Sequence, residues 1–212
     1  MIAPLVCLDP GHGTPPAIGR QVEPIGPGSR ELKIKDGGGA SGEAPVALAI
    51  ALRARRLLLA RGYRVAVTRT GPTIHLGEGD GNIARARFCN RRRAALMVRI
   101  HADGSPDRSL HGVSTLVPAW HRRWTDDIYA RSLRAGRALQ NAVPTATGAA
   151  NRGIVQRSDL TGFNWANVPV VLVEAGFMTN PGESRRLRTG AYQQRVANGL
   201  TRGIATFLAS RS

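Results

Sequence analysis

The sequence predicts a single α/β domain built on a twisted, mostly parallel sheet with helices on both faces. Three observations predict it. Short β-like runs alternate with helix-like stretches along the chain, the pattern of strand–helix–strand units. The run 169–173 is apolar without interruption, as a strand covered on both faces must be. A length of 212 residues suits one domain with a sizeable core and is short for two.

In chain order, β-like runs fall at 4–8, 63–68, 96–100, 112–117 and 170–173, and helix-like stretches at 44–61, 82–94, 125–141 and 184–209. The stretch from Pro45 to Gly62 is the clearest helix: Ser41 or Gly42 is a fitting cap, Pro lies near the first turn, and Gly stops it. Gly and Pro crowd into 9–45, 71–81 and 144–182, which reads as long loops on a compact scaffold. The Gly/Pro-rich stretch at about 14–40 is long for a connector without structure and is expected to form a flap or hairpin beside a cleft.

The formal charge is +16, from 30 Lys and Arg against 14 Asp and Glu, and nearly all the cations are Arg. Such a field favours polyanionic surroundings without naming one. No aromatic RNA-binding strand, zinc-finger spacing or GXXG clamp accompanies it, so no specific nucleic acid is expected. No run of 18 apolar residues exists to span a membrane. Residues 2–8 lack a basic leading region and read as a strand and not a signal peptide, so a targeting segment is expected to lie outside this sequence. Cys7 and Cys89 are either one disulfide, joining the first strand to the helix at 82–94, or two buried thiols.

In open α/β sheets, sites form beyond the carboxyl ends of strands. Those ends read Asp9-Pro10-Gly11-His12, Thr68-Arg69, His101-Ala102-Asp103 and Glu174-Ala175-Gly176. Taken alone, His12 is a surface-loop histidine and His101 a satisfied structural one. Jointly placed at the ends of different strands, they need one oxygen or sulfur partner to form a zinc site with a position left open. Glu43, at the start of the clearest helix, is the best third ligand, although a first-turn Glu also favours the helix dipole by itself. Glu174 ends the most apolar strand, where an unpaired carboxylate is costly unless a metal or proton-transfer role keeps it there. Asp9 either accepts the other N–H of His12 or stabilises the turn. His75, His111 and His121 read as surface or loop residues. The Gly-rich 37–42 lacks a phosphate-loop continuation, and HExxH is absent.

These residues resemble the zinc-dependent N-acetylmuramoyl-L-alanine amidases of the Amidase_3 type. The matching motifs are Leu8-Asp9-Pro10-Gly11-His12-Gly13, Gly39 to Glu43, Thr68-Arg69, Arg85 with Cys89-Asn90, Arg99-Ile100-His101-Ala102-Asp103, and Val173-Glu174-Ala175-Gly176-Phe177-Met178-Thr179-Asn180-Pro181. The likeness covers essentially the whole chain, with departures at Arg99 for the usual Ser, Asp103 for Asn and Cys89 for Ala. It implies one Zn2+ per chain on His12, Glu43 and His101, with Glu174 as the proton-transfer group. The implied reaction is hydrolysis of the amide between N-acetylmuramic acid and L-alanine in peptidoglycan or muropeptides. Arg69, Arg85, Asp103, Arg152 and Arg157 are then candidates for substrate contact, the arginines equally for local structure. The resemblance further implies a secreted, periplasmic or cell-wall protein, where a Cys7–Cys89 bond could persist, and a monomer is expected. The alternatives are a zinc carboxypeptidase or other amide hydrolase on the stem peptide, and a non-catalytic wall or nucleic-acid binding module.

Overall fold

Residues 2–77 and 79–210 are described by a computed structural model. Six strands form the central sheet: β1 (Leu5–Pro10), β4 (Arg64–Val67), β5 (Leu96–Asp103), β6 (Val113–Pro118), β7 (Asn151–Arg157) and β8 (Val170–Phe177). Their order is β4-β1-β5-β8-β6-β7. β4, β1, β5 and β8 run parallel, whereas β6 is antiparallel to β8 and carries β7 parallel to itself. The sheet is therefore mixed and mostly parallel.

Side chains alternate across each strand, and the alternation assigns the two cores. Val6, Leu8, Val98, Ile100, Val171 and Val173 face a large core completed by three helices, α2 (Glu43–Ala60), α4 (Tyr129–Thr147) and α7 (Gly190–Ala209). Cys7, Met97, Val170 and Leu172 face a smaller one with α3 (Asn82–Arg91) and the short α5 (Thr161–Asn164). Cys7 and Cys89 are bonded, tying β1 to α3 across this second core with Cα atoms 5.8 Å apart.

The stretch 14–40 folds into α1 (Pro16–Gly19) and an antiparallel hairpin of β2 (Val22–Pro24) and β3 (Leu32–Ile34). It is pinned along its length. Asn164 Nδ2 and Trp165 Nε1 donate to the carbonyls of Ile25 and Pro24, and Trp124 Nε1 donates to Pro27. The buried Glu23 accepts from Asn82 N at 2.8 Å and Ile83 N at 3.2 Å, satisfying orphan donors at the start of α3 that no local side chain caps.

Several expected boundaries move. β5 and β8 run to Asp103 and Phe177, beyond the expected ends at 100 and 173, because His101, Asp103 and Glu174 interrupt the apolar run on one face only. Ala102 and Ala175 keep the other face in the large core. β7 replaces an expected loop: its polar, Gly-containing sequence has no apolar run, and pairing with β6 at the sheet edge supplies its order. The predicted helix at 125–141 lies at Tyr129–Thr147, running through Pro144 to a left-handed Gly148. The stretch 184–209 divides into α6 (Pro181–Leu187) and α7, which Thr189 caps by accepting from Tyr192 N. Gly42, in the left-handed conformation, precedes α2.

Candidate active site

On the face that carries the smaller core, the strands change character toward their carboxyl ends. Cys7 gives way to Asp9, Met97 to Arg99, His101 and Asp103, and Leu172 to Glu174, all at period two. His101 and Glu174 are direct neighbours across β5 and β8. They are strand residues, not the residues beyond strands that the apolar pattern suggests.

His12 reaches the same place from the turn after β1, where it adopts a left-handed backbone with φ of 59°. A non-Gly residue holds such a conformation only where its surroundings over-determine it. Two buried arginines do so here. Arg85 donates to the carbonyls of Pro10 at 3.0 Å and His12 at 2.6 Å. Arg69 donates to Pro10 at 3.2 Å, Gly11 at 2.7 Å and Ala44 at 2.8 Å, so it also ties the turn to the start of α2. Of the two readings open for Arg69 and Arg85, local structure is the one these bonds support; neither lines the main cleft.

Asp9 does not meet His12. Its fully buried carboxylate accepts from Thr68 Oγ1 at 2.6 Å, Arg85 Nη1 at 2.7 Å and Arg99 Nε at 2.9 Å. Burial opposes its ionisation, but Arg85, Arg99 and Thr68 outweigh that and hold its pKa well below the usual carboxylate range. The imidazole partner is Asp36, whose Oδ1 lies 2.7 Å from His12 Nδ1. Sequence reasoning missed Asp36. Its only local signal is an Asx-type contact, Gly38 N to Oδ1, in a Gly-rich turn, and nothing in its spacing links it to a histidine 24 residues earlier.

Glu43 completes the cluster from the first turn of α2. Its Oε1 lies 3.0 Å from His12 Nε2 and 2.9 Å from His101 Nδ1, and it also accepts from Ala102 N. Oε2 accepts from Ala40 N. One potential ligand atom from each of the three residues falls within 4.8 Å of the others. Gly39 makes room for them: a Cβ there would stand 2.5 Å from both Glu43 Oε2 and His12 Nε2.

The electrostatics suit a cation. Burial disfavours a proton on His12, yet Asp36 and Glu43 raise its pKa to about 9, so these carboxylates stabilise positive charge at this point. Burial lowers the pKa of His101 in spite of Glu43, keeping it in the neutral form that ligates metals. His101 Nε2 is buried without a hydrogen-bond partner, as is Glu174 Oε2. Two imidazoles and one carboxylate, with no further His, Cys, Asp or Glu in the cluster among the described residues, match the donor set of an open zinc site. Burial first, then the nearby Asp103 and Glu43 carboxylates, push the pKa of Glu174 well above the usual value.

The cluster opens into a cleft of about 770 Å³ lined also by Asp103, Arg99 and Arg157. Burial raises the Asp103 carboxyl, and Arg157 pairs with Asp159 at 2.6 Å. Arg152 lies outside this lining, donating to the carbonyl of His111 and covering the Phe177 ring. His75, His111 and His121 do not line the cleft.

The model of the Amidase_3 family, described as N-acetylmuramoyl-L-alanine amidase, matches residues 6–206. The chain is 31% identical to the N-acetylmuramoyl-L-alanine amidase Rv3717 of Mycobacterium tuberculosis over 98% of its own length and 87% of the relative's. The germination-specific N-acetylmuramoyl-L-alanine amidase of Bacillus subtilis is 25% identical over 98% and 81%. Among solved structures, the amidase Ami1 of Mycobacterium smegmatis superposes with a TM-score of 0.86 at 30% identity, covering 99% of each chain. With the family's fold and a His/His/Glu cluster at its cleft, the chain belongs to the Amidase_3 family of N-acetylmuramoyl-L-alanine amidases.

Proposed function

We propose that this cleft carries out the family reaction, hydrolysis of the amide between the lactyl group of N-acetylmuramic acid and L-alanine, with one Zn2+ held by His12, Glu43 and His101. The observation that carries the reading is the convergence of three ligand atoms beside a buried carboxylate with a free oxygen. A zinc ion there supplies Lewis-acid polarisation of the amide carbonyl and a lowered pKa for water. Asp36 and the clamp of Arg69 and Arg85 fix the orientation of His12.

Glu174 is the proton carrier. As water adds to the carbonyl carbon, Oε2 takes one of its protons. As the C–N bond breaks, the same oxygen returns that proton to the departing alanine nitrogen. Burial among carboxylates gives Glu174 the raised pKa that a group alternating between base and acid needs. Asp103 and Arg157 line the cleft where substrate lies.

All four groups come from one chain, which supports action as a monomer. A peptidoglycan substrate and a Cys7–Cys89 disulfide both favour the cell envelope. Metal analysis combined with mass spectrometry of digested, defined muropeptides tests the reading. One zinc per chain and release of sugar from intact stem peptide are expected; an uncut sugar–peptide bond with a trimmed peptide end would replace the amidase reading with a carboxypeptidase.

A further inference from the structure

Arg99 stands where the family motif carries Ser, and no element of the proposed mechanism uses it. It is 5% exposed, and two contacts orient it: Nε donates to Asp9 Oδ2 at 2.9 Å, and Nη2 donates to Asn82 Oδ1 at 2.6 Å. No hydrogen bond among the described residues uses Nη1. That nitrogen lies over Gly162, at a distance where any Cβ would collide with it. The Asp9 carboxylate is shared between Arg85 and Arg99, so one carboxylate faces two buried guanidinium groups. A buried cation in that position is stabilised by a further anion.

Space for one adjoins it. A second groove of about 450 Å³ runs between the β2–β3 hairpin and the start of α5, lined by Leu32, Lys33, Ile34, Arg99, Asp159 and Leu160. It shares Asn82, Arg99 and Leu160 with the main cleft, so Arg99 stands at the junction. Its lining carries Lys33 and Arg99 against the single Asp159, which Arg157 of the main cleft also pairs, so the groove is cationic. Leu32 and Ile34, more than half exposed, give it an apolar rim. Another wall of the cleft, where Ala40, Gly104, Ser105 and Thr179 meet, presents small neutral side chains beside the Asp103 carboxylate, which accepts from Gly104 N. The two limbs of the substrate differ in the same sense: the muramoyl sugar is neutral and the stem peptide carries carboxylates.

We propose that the groove under the β2–β3 hairpin receives the peptide limb and that Arg99, through Nη1, selects a carboxylate on the residue following L-alanine. This rests on the amidase reading of the cleft. A hydrogen bond between two charged groups, lost when the carboxylate becomes an amide, is worth about tenfold to a hundredfold.

The test compares N-acetylmuramoyl-L-alanyl-D-glutamate with its diamide on the zinc-loaded enzyme. A kcat/KM preference of about tenfold or more for the diacid is expected, expressed in KM, and Arg99→Ser is expected to bring the ratio close to one. An unchanged ratio in Arg99→Ser, or equal use of both compounds by the wild type, overturns the assignment. Calorimetry of the wild type with L-alanyl-D-glutamate and its diamide needs no variant and no turnover. Selective binding of the diacid with neither muramoyl compound cleaved would sink the amidase reading and keep the groove; cleavage of both with equal affinities would do the reverse.

Discussion

Asp36, Asp9 and Glu174 are three buried or half-buried carboxyls in one small region, the first two held by different partners and the third with its Oε2 held by none. Asp36 holds the Nδ1 side of His12, leaving Nε2 toward Glu43. Partners of this kind change metal affinity by about tenfold to a hundredfold when removed. Asp36→Ala is therefore expected to weaken zinc binding by that factor in chelator competition, with an unchanged affinity counting against the orienting role. Asp9 holds Arg85, which fixes the turn at His12, together with Arg99, so this motif residue lies off the reaction path. Glu174 has no such partner, and its folded pKa lies above the ordinary value of 4.5. The folded state then holds the proton more tightly than the unfolded one, so stability falls as pH rises above about 4.5. Metal-free Glu174→Gln is expected to be more stable than metal-free wild type at pH 8 and equal to it near pH 3.5, as read by denaturant midpoints. The same variant should retain zinc and lose at least about a hundredfold in turnover.

Among the elements, the β2–β3 hairpin has a role that its Gly- and Pro-rich sequence conceals. Through Glu23 it caps α3, and through Lys33 and Lys35 it touches the groove wall and Asn82. Glu23→Ala leaves two helix-end N–H groups without their acceptor, a cost of about 1–3 kcal/mol. Faster amide exchange at residues 22–34 and in the first turn of α3 is expected, with α7 unaffected. Equal exchange in both proteins would show that the cap contributes nothing. The β-strands themselves were legible only as far as their apolar runs. His101 and Glu174 extend β5 and β8 because their neighbours Ala102 and Ala175 still pack inward. Hydropathy read along the chain ends a strand at such a residue, although the backbone pairing continues.

For the molecule as a whole, the Cys7–Cys89 bond links β1 to α3 across 82 residues. Cross-links of this kind typically add 2–4 kcal/mol. Cys89→Ala, which restores the residue usual in the family motif, is expected to fold and to lose about that much, with a steeper denaturant slope because the unfolded chain without the cross-link is more expanded. A loss well below 1 kcal/mol would show that core packing alone sets the stability. The surplus of +16 acts at the same scale, a field that favours polyanionic surroundings and that added salt weakens.

The sequence by itself determined the fold class, three strand ends that converge on the cleft, and His12, Glu43, His101 and Glu174 as a group, because motif order and strand polarity are local properties of the chain. Only the tertiary structure decided that Asp36 and not Asp9 supports His12, that Arg69 and Arg85 clamp a turn, and that Arg99 stands between two grooves. Those assignments depend on which of many charged side chains are buried side by side, and burial is a property of the packed chain that no spacing along it encodes.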